Sequence, residues 1–191
     1  QTCALPISPT TFWTSEDNVM KGLSAVYNPF RRMTSGYYGG LEGIMHLQMR
    51  GDDLYPTRGE EPYIWEYLSF VNTTNTKDLS WGNIYEGIQM ANEFIYRAAT
   101  VDMDETKREQ MIGEAYFLRG FWYFRLRTDY RDAVIRTLPQ DADPETHGLS
   151  SGDEVLEQAI SDFKEAKSRL PKLRSSDENG RVTQGAAIAM L

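Results

Sequence analysis

Asp52, Asp53, Glu60 and Glu61 crowd into one short stretch of the chain. Two carboxylates at a set separation across a sugar ring can work as acid and base on a glycosidic bond. Loop acids are as well satisfied by solvent, and nothing in this spacing fixes a catalytic separation, so no catalytic residue is assigned and the chain is not expected to be an enzyme. His46 and His147 fall in different elements with no ligand spacing, and Cys3 is the single cysteine, which leaves no zinc cluster to build. The pairs Asp52/Asp53 and Asp141/Asp143 fall short of the about six to eight oxygens that calcium takes. No metal or other cofactor is expected. The aromatic residues offer different chemistry. Tyr37, Tyr38, Tyr55, Tyr63, Trp65 and Tyr67 lie among glycines and prolines, outside any regular helical pattern. Such a ring can stack on the C–H face of a sugar while a nearby carboxylate or guanidinium bonds its hydroxyls. Arg50, Asp53, Tyr55, Tyr63 and Trp65 are therefore the candidate ligand-binding residues. The competing reading is that these rings only cover a helical body.

That body is legible in the spacing of apolar residues. Its densest stretch is Glu114 to Asp132, which holds Tyr116, Phe117, Phe121, Trp122, Tyr123 and Phe124. Phe117, Phe121 and Phe124 make one helical stripe, and Ala115, Leu118, Trp122 and Leu126 make another beside it. A helix apolar over most of its circumference belongs inside a helical core. Arg119, Arg125 and Arg127 interrupt the run, so it is not a membrane span.

Five further helices are expected around it. The first begins near Thr14 or Ser15 as N-cap and ends at about Tyr27, before Asn28-Pro29. Phe12 or Trp13 would staple onto its apolar face. A short helix over about Gly40 to Gln48 sits in the glycine-punctuated region 29–80, which otherwise reads as a long structured loop. Another helix spans Ser80 to Ala98. The aromatic helix follows from Glu105 to about Asp129, with Asp102 or Asp104 as cap. The next runs from Asp153 to about Leu170, with a capping box of Ser151 and Glu154, and Pro171 stops it. The last opens with Thr183 as its N-cap. Residues 1–13, with Pro6 and Pro9, read as an extended arm. The predicted fold is all-α, with helices paired in the manner of a tetratricopeptide array. It reads as one domain over 1–191, an arm at 1–13 and a helical body at 14–191, cut short at the C-terminus.

The chain has 191 residues, 20 Lys and Arg against 28 Asp and Glu, and a net charge of −8. An acidic body repels phosphate backbones, so nucleic acid is not an expected partner. No apolar run approaches the ~18 residues of a membrane helix. The first residue is Gln1, and no secretory leader is legible.

Several stretches resemble one family. Ser8-Pro-Thr-Thr-Phe-Trp-Thr-Ser15 resembles the opening of the SusD/RagB family, and the helix ending at Asn28 resembles that family's first helix. Trp81-Gly-Asn-Ile-Tyr-Glu-Gly-Ile-Gln-Met-Ala-Asn92 and Glu114-Ala-Tyr-Phe-Leu-Arg-Gly-Phe-Trp-Tyr-Phe124 are similar to two of its helices. Asp153 to Pro171 and Gly180-Arg-Val-Thr-Gln-Gly-Ala-Ala187 are similar to two more, and the matches run in family order. The resemblance implies a nutrient-uptake lipoprotein of the Bacteroidetes outer membrane, surface-exposed, that binds an oligosaccharide, polysaccharide or peptide. It implies no catalysis. It also implies a partner, a SusC-like TonB-dependent transporter, faced by the tetratricopeptide-like part. The alternative is a tetratricopeptide-type scaffold that binds only protein. The family's chains are much longer, and their C-terminal part contributes to the ligand site. The chain departs from the family pattern where a Tyr-Gly-Asp turn usually follows the aromatic helix, because Arg131 stands in the glycine's place. Cys3 lies closer to the opening motif than the family's lipidated cysteine does. It is either the lipid anchor or an incidental cysteine.

Overall fold

The computed structural model describes residues 12–31 and 81–191. The chain divides into two compact units, residues 1–27 with 87–191 and residues 28–86. The described residues form five α-helices: α1 (Glu16–Arg31), α2 (Trp81–Ala98), α3 (Glu105–Asp129), α4 (Gly152–Arg169) and α5 (Gln184–Ala189), with a 3-10 turn at Ser176–Glu178. Among them there is no strand, only an antiparallel bridge between Ala133 and Ser150. The expected arm at 1–13 and the expected helix at 40–48 fall almost wholly outside the described residues.

The helix ends follow local chemistry. Ser15 Oγ accepts the N–H of Asn18 at 3.4 Å. Asp104 caps α3 by accepting the N–H of Lys107. Ser151 and Glu154 form the complete capping box of α4. Two expectations need correction. First, α1 runs on to Arg31 and carries Pro29 inside it. Pro29 forgoes the bond to the carbonyl of Ala25, and the helix ends two residues later. Second, Thr183 stands at the N-cap of α5 without a side-chain cap bond. The N–H of Gln184 bonds the carbonyl of Pro171 instead, at 2.9 Å.

Close approach sets the pairing. A Cβ on Gly87 of α2 would lie 2.2 Å from Nε1 of Trp122 on α3, and Asn92 bonds Arg119 further along. A Cβ on Gly120 of α3 would meet the carbonyl of Ala159 and the ring of Phe163 on α4, both at 3.1 Å. Gly113 faces Arg169 and Leu170, while Gly152 faces Arg127 and Arg131. Positions ascend on one helix as they descend on the next, so α2, α3 and α4 run antiparallel in turn. Ala166, Leu170 and Ala187 then join α4 to α5, with Tyr116, Phe117 and Val182 packed on them. This is the tetratricopeptide-like, all-α architecture that the apolar spacing predicts.

The core falls on one of the two stripes of α3. Ala115, Leu118, Trp122 and Leu126 are buried, whereas Phe117, Phe121 and Phe124 are only half-buried. Phe94 and Phe163 from the flanking helices are fully buried, each burial stabilising by roughly 1.5–3 kcal/mol. Trp13 supplies the expected staple. Its indole lies over Gly22 of α1 and meets the ring of Phe94 edge-on at 5.7 Å.

Arg131 makes a left-handed turn at the end of α3. Its φ is +71°, a left-handed conformation that costs a residue with a Cβ about 1–2 kcal/mol. The N–H groups of Tyr130 and Arg131 both bond the carbonyl of Leu126, at 2.9 and 3.1 Å. These bonds satisfy the end of α3 and hold the strained turn in place.

Candidate functional site

The sequence treats Arg119 as a polar break in an apolar helix. In the fold it is buried, as are Asn92, Glu114 and Asp162. Nε and Nη2 of Arg119 donate to the two oxygens of Asp162 at 2.8 and 2.7 Å. Nη1 donates to Asn92 Oδ1 at 2.8 Å and to the carbonyl of Thr137 at 3.0 Å. Burial works against the charge on Arg119, but the bonds and charge of Asp162 outweigh it and hold the guanidinium protonated. The same burial pushes the Asp162 carboxyl above the usual carboxylate range, and Arg119 pulls against that rise.

This pair fixes the connection after α3. Asn92 Nδ2 donates to the carbonyls of Arg136 and Leu138 at 2.9 and 3.3 Å. The hydroxyl of Tyr123 donates to the Arg136 carbonyl at 2.5 Å and accepts the Arg136 N–H at 2.8 Å. Arg136 then binds the carbonyls of Asp143 and Glu145 at 3.2 and 2.8 Å. A segment without regular structure is thus held by side chains of α2 and α3 at successive residues.

A cleft of about 490 Å³ opens above the pair, lined by Ile95, Tyr96, Ala99, Tyr116, Arg119, Thr137 and Leu138. The volume lies within the range of small-molecule clefts, about 300–1,000 Å³. The Tyr116 ring has the Arg119 and Arg169 guanidinium carbons at 5.1 and 5.2 Å from its centroid. The Tyr96 ring has that of Arg97 at 5.3 Å.

A second buried carboxylate, Glu114, lies five residues before Arg119 on α3. Glu114 accepts from the Tyr27 hydroxyl at 2.6 Å, from Arg174 at 2.8 Å and from Arg181 at 2.5 and 3.1 Å. The Tyr27 hydroxyl also accepts the N–H of Val182 at 3.1 Å. Burial, and then the neighbouring Glu114 carboxylate, push the Tyr27 phenol above its ordinary value.

The candidate residues named from sequence, Arg50, Asp53, Tyr55, Tyr63, Trp65 and Cys3, lie outside the described residues, as do Asp52, Glu60, Glu61 and His46. Asp141 is paired with Arg97, and Asp143 lies 2.7 Å from Nε2 of His147. Among the described residues no group of three metal-ligating side chains converges. Sequence reasoning missed the cleft. Its residues come from three separate stretches, and Tyr116 reads only as core aromatic. The one available signal was Tyr96, a ring on the polar side of the α2 pattern.

Residues 48–191 match a SusD-like family model described as starch-binding associating with outer membrane. The chain belongs to the SusD-like family. SusD-like protein P38 of Formosa agariphila is 26% identical over 175 residues, 88% of this chain and 33% of the relative. SusD-like protein P2 of the same organism is 25% identical over 176 residues, 89% of this chain and 34% of the relative. Among solved structures, a laminarin-binding SusD-like protein shares 27% identity with a TM-score of 0.81, over 93% of this chain and 39% of the other. A SusD superfamily protein of Bacteroides vulgatus shares 26% identity with a TM-score of 0.78, over 95% and 39%. The chain spans about a third of the length of the curated SusD-like relatives it matches.

Proposed function

We propose that this chain is part of a cell-surface glycan-binding protein that works beside a SusC-like TonB-dependent transporter in the outer membrane. The observation that carries the reading is the SusD-like match over residues 48–191. A laminarin-binding relative of the same fold supports it. The helix pairs give a rigid face for the transporter, and the ligand is held by aromatic rings with polar neighbours. Arg50, Asp53, Tyr55, Tyr63 and Trp65 are the residues proposed to hold it, and Cys3 is the proposed point of lipid attachment. The protein binds and passes on its ligand and turns nothing over.

The test is calorimetry of the full-length protein with laminarin and starch oligosaccharides, with Trp65→Ala and Tyr63→Ala as variants. Saturable binding that either variant weakens about tenfold supports the reading, a change of about 1.4 kcal/mol. Binding unchanged in both variants removes these residues from the site. Binding of neither glycan, together with recovery from the outer membrane without a barrel partner, favours the protein-only scaffold. Release of reducing ends from either glycan sinks the non-enzymatic reading.

A further inference from the structure

We propose that the cleft between α2, α3 and residues 137–138 is a second binding site, for one neutral sugar unit of a glycan chain. This rests on the reading of the protein as a glycan binder and concerns a different set of residues from Arg50, Asp53, Tyr55, Tyr63 and Trp65. Three properties of the lining point to that ligand.

The walls are apolar and aromatic: Ile95, Tyr96, Ala99, Tyr116 and Leu138. Tyr96 and Leu138 are 45% and 41% exposed, so two large apolar side chains face outward beside the opening. The same lining includes Tyr96, Tyr116 and Thr137, whose hydroxyls have no hydrogen-bond partner among the described residues. Each can donate and accept. Finally, the charge at the cleft is already engaged. All three guanidinium nitrogens of Arg119 are bonded within the protein. Arg97 beside the cleft is held by Glu93 and Asp141.

An anion would find no free cation among the described residues that line the cleft. A purely apolar ligand would strip water from three hydroxyls without replacing its bonds. A neutral sugar ring meets both demands, since it has an apolar C–H face and a rim of hydroxyls. The site is also preorganised. Arg119 and Asn92 hold the backbone of Thr137 and Leu138 in place before any ligand arrives, which lowers the ordering cost of binding.

The test uses the full-length protein labelled with fluorotyrosine, with laminarihexaose and maltohexaose as probes. Tyr96→Phe and Tyr116→Phe assign the two fluorine NMR signals. At least one neutral probe is expected to shift both signals saturably, in the parent and in Trp65→Ala alike. Tyr96→Ala, at an exposed position, is expected to weaken the Kd read at Tyr116 about tenfold. If calorimetry shows sugar binding while neither signal moves, or both cease to move in Trp65→Ala, the cleft is not a sugar site and the proposed function stands. If calorimetry shows no sugar binding at all, the proposed function fails and the cleft proposal falls with it. An oligogalacturonate that shifts the signals while both neutral probes leave them unmoved overturns the assignment of a neutral ligand.

Discussion

Arg119 of α3 grips both carboxylate oxygens of Asp162 on α4, and both side chains are at least nineteen-twentieths buried, at 5% and 1% exposure. Two charges out of water are tolerated only when every donor and lone pair is met. Here Asn92, Gln158 and the Thr137 carbonyl complete the set. Removing one partner leaves the other buried and uncompensated. Arg119→Met and Asp162→Leu are each expected to cost about 3–5 kcal/mol, while the double variant recovers most of that loss. Urea unfolding of the four proteins in the cycle checks this. Additive losses would mean that the two charges are not coupled. The single variants should also free the 136–138 segment, seen as faster amide exchange there.

Glu114 ties three remote stretches together, because Tyr27, Arg174 and Arg181 all bond it. Tyr27→Phe removes the bond to the carboxylate and orphans the Val182 N–H, at a cost of about 1–3 kcal/mol. The effect has a pH signature. A phenol whose folded pKa is raised contributes stability that is whole below the unfolded tyrosine value and is lost as pH climbs through the folded one. Urea midpoints measured upward from neutral pH should therefore fall more steeply for the parent than for Tyr27→Phe. Parallel alkaline limbs would contradict the assignment.

The capping box at the start of α4 carries the opposite sign. The hydroxyl and N–H of Ser151 both donate to Glu154, and these bonds hold its carboxyl below the usual glutamate range. A depressed carboxylate contributes stability that is present above the unfolded glutamate value and is lost as pH falls through the folded value. Carbon-detected NMR titration should find Glu154 ionising below the ordinary glutamate value. Ser151→Ala should bring it back toward that value and cost about 0.5–2 kcal/mol. An unshifted Glu154 in the parent would refute the box as a solution feature.

These predictions divide along the line between what was legible in the sequence and what was not. The α3 and α4 caps and the aromatic helix follow from local signals, the spacing of apolar residues and the hydroxyls and acids at helix starts. The buried charges do not, because an arginine or glutamate in a helix ordinarily faces water. Their charged partners lie 43 to 67 residues away. One hint was available. Glu114 and Leu118, and likewise Ala115 and Arg119, sit one turn apart on a helix apolar nearly all round, so some face of α3 had to bury a charge. Pro29 misleads for a different reason, since it stands in the last turn of α1 and the helix ends only two residues beyond it. The binding residues proposed from loop aromatics are a matter of composition, and spacing alone could not place them in three dimensions.

Arg131 offers a test in the other direction, a substitution that should stabilise. Its backbone is left-handed, with φ +71°. The side chain is 80% exposed, and its nearest carboxylate, on Asp132, is 3.9 Å away. The guanidinium therefore holds nothing that compensates the backbone strain, because exposed pairs at that distance contribute little. Glycine adopts the left-handed conformation without penalty but loses more entropy on folding, by about 0.5–1 kcal/mol. Set against a strain of about 1–2 kcal/mol, Arg131→Gly should stabilise by about 0.5–1 kcal/mol. Arg131→Ala removes the same side chain and keeps the Cβ, so it should be near neutral. Thermal unfolding of both variants separates the backbone effect from loss of the arginine. If Arg131→Gly melts no higher than Arg131→Ala, the left-handed turn carries no strain and the end of α3 is set by the two bonds to Leu126 alone.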